Sequence, residues 1–381
     1  MRRSEITRRL KKPLLVKENR VRRLYRGGAL IDRFRGSAEE MDGFLPEDWI
    51  GSSTYAMNRD PVPEEGISKI ILEGNRDGSE TDSDLEMSIQ DILSVPEYAS
   101  ALFGDGVEKR NTPGILVKLL DSCTTLSLQT HPDKEFTHRH FGDGHGKCES
   151  WIVLGGRQID GEEPFVYFGF KDGVSRQEFY EIYYDQDVAA MRSSLNKIYV
   201  QPGDVFYVEP NIIHAIGPGV FMLEVQEPTD YVFQFDRKGV YWDLTDHEMH
   251  MGLGDEVMLT SMNFELKGEE LLNRNMSHVE LFTNHEQIIP ILAEEQSRYF
   301  GCESMTSVHV LQRNHHGIRI GVVIEGCLDI TLHGDSLSLE KGDTYILPGS
   351  SAQDGNCECI YTAIGDRCEN GFFSVLEAFP S

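Results

Sequence analysis

No stretch of this 381-residue chain approaches the ~20 consecutive apolar residues of a bilayer-spanning helix, and its first residues hold no apolar core of signal-peptide length. Membrane and secretory readings are excluded on that ground, and a cytoplasmic protein is expected. Cysteine is scarce: there are seven, an odd number, and they are scattered. That usage suits reduced thiols better than a disulfide framework. Cys357 and Cys359 stand one residue apart, without the second pair a zinc knuckle would need. Positive charge is short as well. The formal net charge of -27 repels phosphate, which excludes nucleic acid and anionic membrane as general partners. One segment runs against this balance. Residues 1–26 carry eleven Lys or Arg against Glu5 and Glu18, and read as a solvated basic arm able to pair with the acidic body.

Helical periodicity is limited to three places, near 84–103, 175–196 and 246–262. The middle one opens Ser175-Arg-Gln-Glu178, a capping-box pattern, and interrupts two strand-rich stretches, so a short helical insert is expected at about residues 175–196. Elsewhere the chain reads as short strands punctuated by Gly, Pro and Asp, as in Lys197-Ile-Tyr-Val-Gln-Pro-Gly-Asp-Val-Phe-Tyr-Val-Glu-Pro. The fold expected is therefore mostly β.

A chain of this length exceeds what one hydrophobic core usually serves, and two domains are expected. A repeated phrase agrees. Gln201-Pro-Gly-Asp-Val-Phe-Tyr-Val-Glu-Pro recurs as Glu340-Lys-Gly-Asp-Thr-Tyr-Ile-Leu-Pro, with the two aspartates 139 positions apart. A Gly-Asp turn entering a strand that stops at Pro, used twice, suggests two related β-barrels.

Gln129 and His131, in Leu126-Ser-Leu-Gln-Thr-His-Pro-Asp-Lys, are two residues apart and share one face of a strand. Glu149 follows in Gly146-Lys-Cys-Glu-Ser-Trp, and His214 in Pro210-Asn-Ile-Ile-His-Ala-Ile-Gly, just after the first repeated phrase. Two imidazoles, a carboxylate and an amide oxygen suit zinc, manganese or iron and leave positions open for water or substrate.

In order and spacing these phrases closely resemble the zinc-binding phrases of the type I phosphomannose isomerases. A weaker likeness extends from Gly27-Gly-Ala-Leu to the carboxy-terminal part, and so covers most of the chain. The resemblance implies two cupin-type (jelly-roll) β-barrels: a metal-binding one over 1–265, including the basic arm and the insert, and a second over 266–381 without metal ligands. It implies one Zn2+ per chain, or another divalent ion, on Gln129, His131, Glu149 and His214. The implied reaction is aldose–ketose isomerisation of a sugar phosphate through a cis-enediol, most simply mannose 6-phosphate to fructose 6-phosphate. Matched phrase by phrase, Lys118 and Ser127 fall where the family contacts substrate phosphate, and Lys147 where it has a candidate acid–base lysine. Lys134 is a further cation for the pocket mouth.

One departure is plain. Twenty residues after the last His ligand the family has an arginine, in a phrase ending Thr-Tyr-Arg; here Glu224-Val-Gln-Glu-Pro-Thr-Asp-Tyr-Val-Phe-Gln places Gln234 there. A neutral amide cannot stabilise an enediolate as a guanidinium does. Arg237 is the nearest substitute in sequence, provided a bulge or turn redirects it. The departure keeps two alternatives open: an isomerase of another, unphosphorylated sugar, or a metal-containing sugar-binding protein without turnover. An iron-dependent cupin oxygenase is a third possibility, disfavoured by Gln129 and the Lys118/Ser127 pair. Remaining histidines are assigned no metal: His138, His140 and His145 to a mobile lid, His247 and His250 to one face of a helix, His315 and His316 to opposite faces of a strand. Ala352 stands where the second repeat would need its equivalent of His214.

Overall fold

The repeated Gly-Asp phrase forms the same turn twice. Gly203 and Gly342 adopt φ of +94° and +91°, a region that excludes most side chains. Asp204 N donates to Gln201 O at 3.1 Å and Asp343 N to Glu340 O at 2.9 Å. Each aspartate also accepts the backbone N–H three residues back, Gln201 N at 2.9 Å and Glu340 N at 2.8 Å. The strands that follow, Asp204–Val208 and Thr344–Leu347, each sit between two antiparallel neighbours. A computed structural model describes residues 2–73, 85–104, 111–283, 285–296, 298–314, 316–349, 358–365 and 371–381. Ala352, His315 and Cys357 lie outside them.

The chain is mostly β. A seven-stranded sheet runs in the order Met276–His278, Asp204–Val208, Glu149–Gly156, Val220–Gln226, Leu116–Asp121, Glu47–Ile50, Arg20–Val21. Facing it is a five-stranded sheet, Leu195–Tyr199, Phe165–Phe170, His214–Ile216, Gln129–Thr130, Phe233–Gln234. Trp151, Phe206 and Met222 of the first pack with Phe168, Ile216 and Phe233 of the second in one buried cluster, each large apolar side chain contributing roughly 1.5–3 kcal/mol. The third sheet, of eleven strands, is organised by one 14-residue strand, Arg319–Leu332. Its first half pairs with Thr344–Leu347 and Phe373–Pro380, its second with Asp335–Glu340 and Glu358–Ala363. Between these lies a separate core of Met305, Val323, Leu328, Tyr345 and Phe373. The arrangement fits the cupin-type expectation.

The insert is present. Helices Arg176–Asp185 and Val188–Ser193 follow Phe165–Phe170, and the Ser175/Glu178 capping box is complete. Such a cap contributes about 1 kcal/mol. Phe179 and Tyr183 bury themselves against Phe170, Phe235 and Phe264 on the outside of the five-stranded sheet.

Three expectations need correction. The first 26 residues are not a solvated arm. Arg3–Arg9 is helical, Leu14–Val16 is a strand between Thr344–Leu347 and Lys69–Glu73, and Arg20–Val21 edges the seven-stranded sheet. The run Leu14-Leu15-Val16, flanked by Lys12 and Lys17, buries an apolar stem and leaves the charges at the rim, where Arg9 meets Glu73 at 2.9 Å and Arg20 meets Asp32 at 2.6 Å. The histidine-rich segment, given no helix by the periodicity, is partly helical: His138 and His140 ride on helix Lys134–Phe141, capped by Asp133, with Phe136 packed on Phe233. The thiols are not all reduced either, since Cys327 is disulfide-bonded while Cys123, Cys148 and Cys302 are free.

Candidate metal and sugar site

Strand register assembles the site. In the five-stranded sheet Gln129 lies directly between His214 and Gln234. In the seven-stranded sheet Lys118 lies between Trp49 and Glu224, and Glu224 between Lys118 and Trp151. Cross-strand neighbours share a face, so the two rows confront one another inside the barrel.

His131, Glu149 and His214 come together with one potential ligand atom each, all within 4.8 Å of one another, and all three are buried. Both imidazoles are turned the same way. His131 Nδ1 is 2.9 Å from Tyr231 O and His214 Nδ1 is 2.8 Å from Ile212 O. A carbonyl only accepts, so Nδ1 carries the proton in each ring and Nε2 presents its lone pair to the common point. Nε2 of His131 is 3.0 Å, and of His214 4.0 Å, from Glu149 oxygens. His214 Nε2 is buried without a hydrogen-bond partner, an orphan that a metal ion would satisfy. Burial, before any charge, keeps both rings neutral, with His214 pushed down to about 3 and the adjacent His131 contributing. Glu149 is held well below the usual carboxylate range: burial opposes this, but its interactions with His131 and Lys147 outweigh it. Trp151 Nε1 donates to Glu149 Oε2 at 3.1 Å and fixes its orientation. Two neutral imidazoles and an ionised carboxylate, aimed inward from rigid strands, fit Zn2+. Gln129 borders the same cavity.

That cavity measures about 620 Å³, within the range of small-molecule sites. Lys147 and Glu149 line it, with Lys147 Nζ 2.9 Å from Glu149 Oε1 and 3.2 Å from His131 Nε2. Lys118 also reaches it, but its Nζ donates to Glu224 Oε1 at 2.9 Å and lies over the Trp49 ring at 5.0 Å. Ser127 Oγ donates to Gln234 Oε1 at 2.7 Å, and Gln234 Nε2 to Glu248 O at 3.2 Å.

Lys134 and Arg237 are not brought to the cavity. Lys134 is exposed at the start of its helix. Beyond Gln234, Phe235 and Asp236 are drawn inward by Leu128, through Phe235 N to Leu128 O at 2.8 Å and Leu128 N to Asp236 Oδ1 at 2.8 Å. Arg237 is thereby turned outward to Leu244 O at 3.1 Å and Asp246 at 2.7 Å. Sequence reasoning missed charged lining residues, Arg23, Glu47, Glu224 and Asp230 among them. Glu224 was visible as one carboxylate inside the apolar run Val220-Phe-Met-Leu-Glu-Val, the mirror of Lys118 in Leu116-Val-Lys-Leu-Leu. Arg23 gave no such signal among its basic neighbours. It forms a fork on Asp230 at 3.0 and 3.1 Å and meets Glu47 at 2.9 Å.

No family model matches the chain. Among curated proteins, mannose-6-phosphate isomerase ManA of Bacillus subtilis is 28% identical over 278 residues, 69% of this chain and 78% of that protein. The probable mannose-6-phosphate isomerase GmuF of Bacillus subtilis is 32% identical over 255 residues, 64% of this chain and 73% of that protein. Among solved structures, mannose 6-phosphate isomerase from Bacillus subtilis superposes with a TM-score of 0.64 at 18% identity, covering 96% of this chain and 99% of that one. A zinc-bound mannose 6-phosphate isomerase gives 0.68 at 13% identity, covering 97% and 99%. At such identities the structural likeness establishes the cupin-type fold.

Proposed function

The chain is a divergent member of the type I mannose-6-phosphate isomerase family, a metal-dependent sugar phosphate isomerase, and from that premise we propose that it interconverts mannose 6-phosphate and fructose 6-phosphate. The observation that carries this reading is the convergence of His131 and His214 Nε2 on Glu149, with Lys147 Nζ 2.9 Å from the same carboxylate. Gln129, His131, Glu149 and His214 would hold Zn2+. When bound, the ion would polarise sugar oxygens as charge develops on them.

The chain's own groups supply the rest. Lys147 holds a proton at Nζ beside the ligand carboxylate and is the acid–base candidate. Glu224 is a second: burial first, then the Glu149 charge, raises its pKa above the ordinary range, so it can take and return a proton near neutrality. Lys118 and Ser127 also line the cavity. Trp151, Trp242 and Met251 give the cavity its apolar surface and exclude water from the reacting carbons.

Isomerisation through an enediol removes the C2 proton and delivers one to C1. With mannose 6-phosphate in deuterated water, NMR should show fructose 6-phosphate carrying deuterium at C1, and deuterium at C2 of the mannose 6-phosphate re-formed from it. Intact substrate after complete metal loading would refute the choice of substrate. One observation favours a second reading, an isomerase of another sugar: Gln234 occupies the place of the family's arginine. Turnover of a different aldose in the same experiment would establish it.

A further inference from the structure

Four cations border the cavity among the described residues: Arg23, Arg59, Lys118 and Lys147. Three are buried and already neutralised. Arg23 is forked on Asp230 and paired with Glu47, Lys118 is bonded to Glu224, and Lys147 to Glu149. Their side chains are 12%, 3% and 6% exposed. For any of these to take a phosphate, a buried carboxylate would lose its counter-charge, a strongly destabilising change. Arg59 differs. Its side chain is 45% exposed at the cavity mouth and is held by Glu248, through Nε and NH2 at 2.7 Å each, with NH2 also donating to Asp243 O at 2.9 Å.

Glu248 does not depend on that partner. Its Oε2 also accepts from Thr245 N at 2.8 Å and Thr245 Oγ at 2.7 Å, the reciprocal cap of helix Asp246–His250. If Arg59 turns away, the carboxylate keeps two donors and water access. A half-exposed ion pair of this kind contributes little net stability, so exchanging its carboxylate for another anion costs little. The planar guanidinium fork also suits a phosphate better than an ammonium does. Arg59, Gln129 and Glu149 sit on one cavity, linked through Gln234, which pairs with Gln129 and donates to Glu248 O.

We infer that Arg59 is the specificity-determining residue that receives the substrate's phosphate, trading its fork on Glu248 for a fork on the phosphate oxygens. This places the phosphate at the mouth, against the 57–61 and 245–251 segments, and directs the sugar's C1–C2 end inward to Gln129, Glu149 and Lys147. It differs from the resemblance-based placement on Lys118 and Ser127, and it rests on the sugar phosphate reading above.

The test uses the zinc-loaded full chain, Arg59→Ala, Arg59→Lys and Glu248→Gln, with inorganic phosphate as the probe. Phosphate binding is followed by tryptophan fluorescence, since Trp151 and Trp242 line the cavity, and KM and kcat for mannose 6-phosphate are measured alongside. Arg59→Ala should weaken phosphate binding and raise KM by about tenfold with kcat within about threefold, Arg59→Lys should recover part of this, and Glu248→Gln should bind phosphate at least as tightly as the native chain. Unchanged phosphate affinity in Arg59→Ala, or no phosphate binding by the native chain, overturns the inference even if isomerase activity is present. Arg59-dependent phosphate binding without turnover of any sugar phosphate upholds it and instead sinks the isomerase reading. Thermal melting of each variant confirms folding, and Arg59→Lys carries the test should Arg59→Ala fail to fold.

Discussion

Position 234 is where this chain parts from its relatives in chemistry. Gln234 lies opposite Gln129 on the neighbouring strand and is bonded on both sides, to Ser127 and to Glu248 O. Its amide is thus positioned, but it brings no charge to a developing enediolate. Restoring the guanidinium with Gln234→Arg should raise mannose 6-phosphate kcat by about tenfold or more, because a preorganised cation acts where charge develops. Arg237 offers no such compensation: it faces Leu244 and Asp246, and Arg237→Ala should leave kcat within about threefold of native. Steady-state kinetics of the two variants decide both points. A large loss in Arg237→Ala would show that the 235–246 segment rearranges on binding substrate.

At the scale of elements, what was legible in the sequence is what local chemistry dictates. The two Gly-Asp turns and the Ser175 cap are short-range signals, and both appear in the structure, as does the convergence of His131, Glu149 and His214. What was not legible depends on pairing between distant segments. Nothing around Leu14 announces that it will sit opposite Ile346, and the density of Lys and Arg there masks three apolar positions. The helix over Lys134–Phe141 was hidden by its glycine-rich continuation, Gly142-Asp-Gly-His, although Asp133 is a sound cap. Arg237 could have replaced the family's arginine only if a bulge or turn redirected it toward Gln234, and it instead faces Leu244 and Asp246, as its odd separation from Gln234 implies. The partition at 265/266 is offered as a proposal, and Leu14–Val16, drawn from the first unit but paired with Thr344–Leu347 of the second, would tie the two together. Leu14 is 5% exposed. Leu14→Asp should therefore cost about 2–5 kcal/mol in urea melts and leave zinc content unchanged in the folded fraction. A neutral result would mean that the strand is dispensable.

For the whole molecule, a net charge of -27 is managed by concentrating cations where the acids are buried. Burial alone would raise the pKa of Glu47, yet the charges of Arg23 and Lys118 hold it down at about 2. Asp230 is likewise lowered against the effect of burial, chiefly by Arg23. A carboxylate with a depressed folded-state pKa stabilises the fold above its unfolded pKa, near ~4, and that contribution is lost as pH falls toward the folded value. These two carboxylates should thus leave the melting temperature unchanged between pH 7 and about 5 and lower it between about 4 and 2, and Glu47→Gln should melt lower at neutral pH with a shallower acid decline. An equally steep decline in that variant would assign the acid sensitivity elsewhere. No helix among the described residues is long and apolar enough to cross a membrane.

The central claim is that the buried His131–Glu149–His214 cluster, with Gln129, holds the metal on which isomerisation depends. Its most direct test is a coupled assay for fructose 6-phosphate formed from mannose 6-phosphate, run on the native chain, on the chain stripped by chelator, and on the stripped chain resupplied with Zn2+. The account predicts activity, its loss, and its return with one zinc bound per chain, a return that His214→Ala cannot make. Undiminished turnover in protein shown to be free of metal would contradict it.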